Sequence, residues 1–216
     1  MRYEFELRGI SSLLVHADNV LASDDLMAWR KDPAHKSISV AGDDRSPAWS
    51  WMSYVYSDGE HLCMLSDALM VALRFAGAKM IMKKQETYKS ATQSGILITD
   101  EYLKILVDGK PIACKDIAKL KTLSFAEQLA GVEKLGFKLD VRRAVVGQSK
   151  HVRVRPRFDS WTLAGELDVD EPAISASVLA QLFDIAGKRA GLGDWRPSAR
   201  ASGPHGRFVA QLTELD

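Results

Sequence analysis

The feature that most constrains this chain is the order of elements in its C-terminal part. Ile174, Val178, Leu179, Leu182, Phe183 and Ile185 recur at spacings of three and four, which predicts a helix. A glycine-rich stretch follows, Gly187-Lys188-Arg189-Ala190-Gly191-Leu192-Gly193-Asp194-Trp195-Arg196-Pro197, with Gly203-Pro204-His205-Gly206-Arg207-Phe208 after it. Phe208, Val209, Ala210 and Leu212 then read as a strand. The order is helix, glycine loop, strand. A dinucleotide-binding loop runs the other way, from a strand through glycines into a helix N-terminus, so Gly191-Leu192-Gly193 is a poor Rossmann turn. Glycines in this setting predict positive φ or a close backbone approach. Lys188, Arg189, Arg196, Arg200 and Arg207 around them make a polyanion the expected neighbour.

The rest of the chain sets this ending in a fold class. Residues 2–10 alternate, Tyr3, Phe5 and Leu7 against Glu4, Glu6 and Arg8, as a half-buried strand does. Leu65 to Met82 predicts a helix whose apolar face is Leu65, Leu69, Met70, Leu73, Phe75, Ala76 and Met80. Ile96 to Val107 reads as a strand pair or bent strand closed by the turn Asp108-Gly109. Phe137–Val146, His151–Phe158 and Trp161–Val169 read as strands, turning at Gly147-Gln148-Ser149 and at Phe158-Asp159-Ser160, and Glu171-Pro172 starts the last helix. This is the element order of an α+β, ferredoxin-like (RRM-like) βαββαβ core, expected as one domain over 1–216. Residues 17–60 are expected as an insertion after the first strand. Within it, Asp24 to Lys31 has helical spacing with Ser23 as N-cap, and Ala41 to Pro47 reads as an exposed loop. Trp49, Trp51, Tyr54 and Tyr56 alternate like a strand and offer rings for base stacking, core packing or a neighbouring subunit.

With 46% apolar and 26% charged residues the chain reads as an ordinary globular protein. Its longest apolar-rich run, Cys63 to Met82, is broken by Ser66, Asp67, Arg74 and Lys79, so no membrane span or membrane partner is expected. Met1 to Leu7 alternates and does not read as a secretory signal. Cys63 and Cys114 form no metal-ligand pair, and a reduced, cytoplasmic setting is expected. Net charge is +1, yet residues 1–70 hold 6 Lys/Arg against 11 Asp/Glu, and residues 71–216 hold 23 against 17. That split suits an anionic partner for the second part, or head-to-tail contacts between copies.

The basic stretch Val141-Arg142-Arg143-Ala144-Val145-Val146-Gly147-Gln148-Ser149-Lys150-His151-Val152-Arg153-Val154-Arg155-Pro156-Arg157 carries the sharpest chemistry. Residues 141–158 hold six Lys/Arg, one His and no acid. In an extended chain Arg153, Arg155 and Arg157 share one face, opposite Val152 and Val154. Three such charges repel each other unless an anion or carboxylates lie opposite. Phosphates of single-stranded nucleic acid would meet that need. So would acids such as Glu166 or Asp168 on a neighbouring strand. Lys83 and Lys84 at the end of the first long helix extend the candidate track. No cofactor is expected: there is no P-loop, no assignable Ser/His/Asp or Cys/His arrangement, and His35, His61, His151 and His205 have no metal spacing. Asp24-Asp25 and Asp43-Asp44 are more simply solvated pairs than Mg²⁺ ligands. His16, with Asp18 two residues on, is the one candidate general base, of the kind a metal-independent ribonuclease needs; a loop histidine with structural contacts is the plainer reading.

The loop Gly191 to Pro197 with Gly206-Arg207-Phe208, and the opening Leu7-Arg8-Gly9-Ile10-Ser11-Ser12-Leu13-Leu14-Val15-His16, resemble the RAMP superfamily of ferredoxin-like, RNA-binding CRISPR effector proteins. The insertion before the first long helix is similar to that of the backbone-subunit branch. The C-terminal Gly-x-Gly-Asp-aromatic-Arg-Pro loop is also similar to that of phage-encoded proteins. The resemblance covers both ends and the element order. It implies a non-catalytic subunit that binds single-stranded nucleic acid, RNA before DNA, in a multi-copy assembly that self-associates and meets other effector subunits. Arg142, Arg143, Lys150, Arg153, Arg155 and Arg157 are then the expected phosphate contacts, extended by Lys83, Lys84, Arg196 and Arg207, with the backbone at Gly191 and Gly193 close to the ligand. The family's nuclease branch has a catalytic histidine near the first strand, a place His16 matches. A metal-independent endoribonuclease and a phage assembly subunit are the alternatives.

Overall fold

Helices and antiparallel sheets alternate along the chain in a mixed α+β fold. The computed structural model describes residues 1–146 and 149–215, with the side chains of Leu21 and Val146 also outside that description. The expected turn at Gly147-Gln148-Ser149 therefore lies mostly outside the described residues. The principal elements are β1 (Arg2–Gly9), α1 (Val20–Lys31), α2 (Ser66–Gly77), β2 (Ile96–Ile98), β3 (Leu106–Val107), α3 (Phe125–Lys134), β4 (Lys138–Val146), β5 (Ser149–Phe158), β6 (Thr162–Val169), α4 (Ala176–Ile185) and β7 (Phe208–Leu215). They fall into two compact units, one of Met1–Leu13, Cys63–Pro111 and Asp159–Asp216, the other of Leu14–Leu62 and Ile112–Phe158.

The first unit is built on an antiparallel sheet in the order (Lys110–Pro111)-β3-β6-β1-β7, with β2 also pairing β6. The alternation in β1 decides its faces: Tyr3, Phe5 and Leu7 are buried, and Arg2, Glu4, Glu6 and Arg8 are exposed. Phe5 lies opposite Gly165 on β6 and Leu212 on β7, and its ring meets Phe183 of α4 at 5.9 Å. α2 contributes Leu69, Leu73 and Ala76 to the same core and packs on α4. α2 is shorter than expected and stops at Gly77, because the chain turns at Ala78–Met80 into a small hairpin, Ile81–Lys83 with Glu86–Thr87. The Asp108-Gly109 turn is as expected, both residues having positive φ (51° and 73°) between β3 and Lys110–Pro111. The last helix begins later than Glu171-Pro172, at Ala176, where the Ser175 hydroxyl caps the Val178 N–H.

The second unit packs α3 and the hairpin β4–β5 around a ring cluster. Phe137 stacks on Phe158 at 5.0 Å and meets Trp51 edge-on at 6.0 Å. The Trp51 indole N–H donates to Gln128 Oε1 (2.6 Å), and the Gln128 amide donates to the Leu123 carbonyl (2.9 Å), so both buried polar groups have partners. Two local expectations are corrected here. Of residues 49–56 only Tyr56 lies in a strand, Tyr56–Ser57: Ser50–Tyr54 forms tight 3₁₀ turns, stabilised by Ser50 and Ser53 hydroxyls that donate to the Asp44 and Ser50 carbonyls. α1 begins at Val20, capped by the Asn19 side chain instead of Ser23.

Candidate nucleic-acid interface

The hairpin β4–β5 brings the basic stretch together. Its register pairs Lys138 with Arg157, Asp140 with Arg155, Arg142 with Arg153 and Ala144 with His151. Residues two apart on a strand share a face, so Lys138, Arg142, Arg153, Arg155 and Arg157 line one side of the ribbon. Leu139, Val154, Pro156 and Phe158 are buried on the other. Arg143 and Lys150, opposite Val152 and Val145, belong by register to that second face, where the ribbon has run past the core and Val145 is 71% exposed. The six cations expected at one surface are thus divided between two.

Two buried carboxylates organise the arginine face. Asp140, 8% exposed, accepts from Arg142 Nε at 2.9 Å and lies 4.0 Å from Arg157. Asp44, 3% exposed, accepts from Arg153 at 3.3 Å and from the Val154 backbone N–H at 3.2 Å. The stretch Ala41–Pro47 is therefore not an exposed tip. It is laced along β5, with Val152 N–H donating to the Gly42 carbonyl (2.8 Å) and Asp44 N–H to the Val152 carbonyl (3.0 Å). The strand beside β5 is β4, which carries Asp140, and not β6, which carries Glu166 and Asp168 and belongs to the sheet of β1. The chain between β5 and β6 changes sheets, which adjacency in sequence does not reveal. Lys138, Arg142, Arg153, Arg155 and Arg157 share this face with Asp140 and Asp44. The guanidinium groups stay reachable: the Arg142, Arg157 and Arg153 side chains are 41%, 33% and 26% exposed.

His16 lies in the same unit. Its ring meets Tyr54 edge-on at 4.3 Å, and the neighbouring Ala17 N–H donates to the Tyr54 carbonyl (2.9 Å). Burial raises the Tyr54 phenol above its ordinary value; Asp44 adds to that shift and Arg153 opposes it, which places all three groups in one electrostatic neighbourhood.

The remaining candidates belong to the first unit. The glycine loop is folded tightly on itself. One π-helical turn, Ala186–Ala190, carries α4 into it, and Gly191 follows at φ 71°. Gly191 is buried, and a Cβ there would lie 2.8 Å from Pro197 Cδ and 3.1 Å from the His205 carbonyl oxygen. The close approach at Gly191 is to the loop's own chain. Arg196 donates to the Gly193 carbonyl (2.9 Å) and to Ser198 Oγ (3.2 Å), so its guanidinium knits the loop. His205, considered in the sequence only as a metal ligand and set aside, is 5% exposed and bonds through Nδ1 to Ser12 Oγ at 2.7 Å, tying the loop to the end of β1. Arg207 is exposed, as are Lys83 and Lys84 beside a hairpin turn where Lys84 has φ 52°. On the outer face of this unit's sheet Glu4 lies opposite Glu166 and Arg2 opposite Asp168, and Tyr102 lines the same surface as Glu4 and Glu166.

Among the described residues no group of three or more His, Cys, Asp or Glu could hold a metal ion, and no helix is long and apolar enough to cross a membrane. No protein-family model matches the chain, and no curated protein matches it significantly.

Proposed function

We propose that this protein binds single-stranded nucleic acid, RNA in the first place, along the arginine face of β4–β5, as a non-catalytic, repeated subunit of a RAMP-like ribonucleoprotein assembly. The observation that carries the reading is the row Arg142, Arg153, Arg155 and Arg157 with Lys138, set on one face of a ribbon with the Arg142, Arg157 and Arg153 side chains still 41%, 33% and 26% exposed. A phosphate chain repeats its charge along an extended strand, as this row does. The strand order of the first unit supports the ferredoxin-like reading. With β1, β2/β3, β6 and β7 as first to fourth strands and α2 and α4 as the crossovers, the order is fourth-first-third-second and all pairs are antiparallel. Arg143 and Lys150 would serve phosphates only from the far side of the ribbon, and Arg196 would act by holding the glycine loop.

The direct test is what the protein carries out of a cell. Purified at low salt, it should show nucleic-acid absorbance in a large species that RNase digests and high salt disperses. A nucleic-acid-free protein that also fails to bind added single-stranded RNA at low salt would end this reading.

The contact of His16 with Tyr54, beside Asp44 and Arg153, favours a second reading, in which His16 is the general base of a metal-independent endoribonuclease. RNA cleavage in the presence of EDTA, abolished in His16→Ala while binding persists, would identify it. Intact RNA after prolonged incubation with the wild type would exclude it.

A further inference from the structure

The first unit's sheet ends differently on its two sides. On one side the outermost pieces are β2, three residues long, and Lys110–Pro111, two residues long, with a lysine and a proline that has no N–H to offer. Short strands, lysine and proline are the means by which natural sheets keep an edge from pairing. On the other side the outermost strand is β7, Phe-Val-Ala-Gln-Leu-Thr-Glu-Leu, eight residues with no proline, glycine, lysine or arginine and one charge, Glu214. It pairs with β1 along its whole length, from Gly9↔Phe208 to Arg2↔Leu215, without a register shift. Its outer side therefore presents a regular row of N–H and C=O groups. Among the described residues, no other strand, loop or side chain bonds to that row. One edge is broken into pieces of two and three residues, and the other is left as one long, straight and nearly neutral strand.

We propose that β7 pairs antiparallel with β7 of a second copy of this chain, across a twofold axis at Leu212, so that one sheet runs through both molecules. The sequence of β7 is complementary to itself in this register. Leu212, on the face that carries Phe5 and only half-buried at the edge, meets the second copy's Leu212. Gln211 lies opposite the second copy's Thr213, an amide facing a hydroxyl. Val209, 45% exposed, lies opposite its Leu215. Glu214 lies opposite Ala210, so the strand's one charge never faces its own copy. Moving the axis to Thr213 would set Leu212 against Glu214, and moving it to Gln211 would leave Leu215 opposite Arg207; each of these shifts keeps the faces, so the side-chain matches select Leu212. This pairing uses backbone bonding along an edge and does not depend on bound nucleic acid.

The experiment is the molar mass in solution of nuclease-treated protein at high salt, over a range of concentrations, by size exclusion with light scattering. The wild type is expected to reach twice the chain mass. Gln211→Lys with Thr213→Lys sets lysine opposite lysine at two symmetric positions and should leave a monomer. Gln211→Lys with Thr213→Glu sets each lysine opposite a glutamate and should restore the dimer. Position 211 is exposed and both side chains lie on the open face, so both variants should keep the wild-type circular dichroism. A wild type that stays monomeric, because the edge serves another protein's strand or none, overturns the proposal. A dimeric double-lysine variant, or loss of the dimer in both variants, overturns it as well.

Discussion

Asp44 shows how one residue settles what a segment does. Its carboxylate is buried and divided between a backbone N–H of β5 and the Arg153 guanidinium, so it fastens residues 41–47 to the ribbon and orients one arginine of the row. Removing it leaves a buried N–H without its acceptor, at a cost of about 1–3 kcal/mol. Asp44→Ala should lower stability to urea by that amount without weakening RNA binding, because the arginine face loses a negative charge. A parallel fall in affinity would mean that Asp44 positions Arg153 for the ligand. Gly206 makes the same point in the first unit. Its φ is 74°, and a Cβ there would sit 1.8 Å from the Leu192 carbonyl oxygen, too close for any side chain. Gly206→Ala should destabilise the glycine loop by about 1–3 kcal/mol in urea titrations; an unchanged midpoint would mean that the loop yields freely.

The hairpin β4–β5 is two structures in one element. Its base is core, with Leu139, Val154, Pro156 and Phe158 buried and Phe158 stacked on Phe137, and farther along β4 Val145 is exposed. Phe158→Ala should cost about 3–5 kcal/mol, and Val145→Ala should stay within about 0.5 kcal/mol, both read from urea midpoints. Comparable losses would mean that the ribbon's outer half is packed after all. The division of faces on β5 was legible from period-two alternation alone, because strand pleating is local. The partners were not legible: Asp44 lies 109 residues from Arg153, and nothing in the spacing of the arginines names Asp140 over Glu166 or Asp168. Residues 49–54 misled for the opposite reason. Their aromatic alternation is strand-like, while the intervening serines bond back to nearby carbonyls and wind the chain into 3₁₀ turns.

Across the whole molecule the charge split of the sequence acquires an address. The excess of Lys and Arg beyond residue 70 gathers most densely on the arginine face of β4–β5, and the exposed sheet face of the first unit mixes Glu4, Glu6 and Glu166 with Arg2 and Arg8. The helix–loop–strand ending was legible in order and glycine content. What it approaches was not: the loop closes on Ser12, Leu192 and Pro197 of its own unit. The proposed assembly joins a phosphate-binding ribbon to an open sheet edge, two surfaces whose tests are independent.

The measurement that bears most directly on the central claim is the salt dependence of single-stranded RNA binding, for the wild type and two triple or double variants. With four or five phosphates neutralised on the arginine face, log K should fall with log salt at a slope of about −3. Arg142→Ala, Arg155→Ala and Arg157→Ala together should reduce that slope by about 2 and weaken binding to all sequences alike, while Arg143→Ala with Lys150→Ala should change neither. Equal effects from the two faces, or a slope that the triple variant leaves unchanged, would contradict the account.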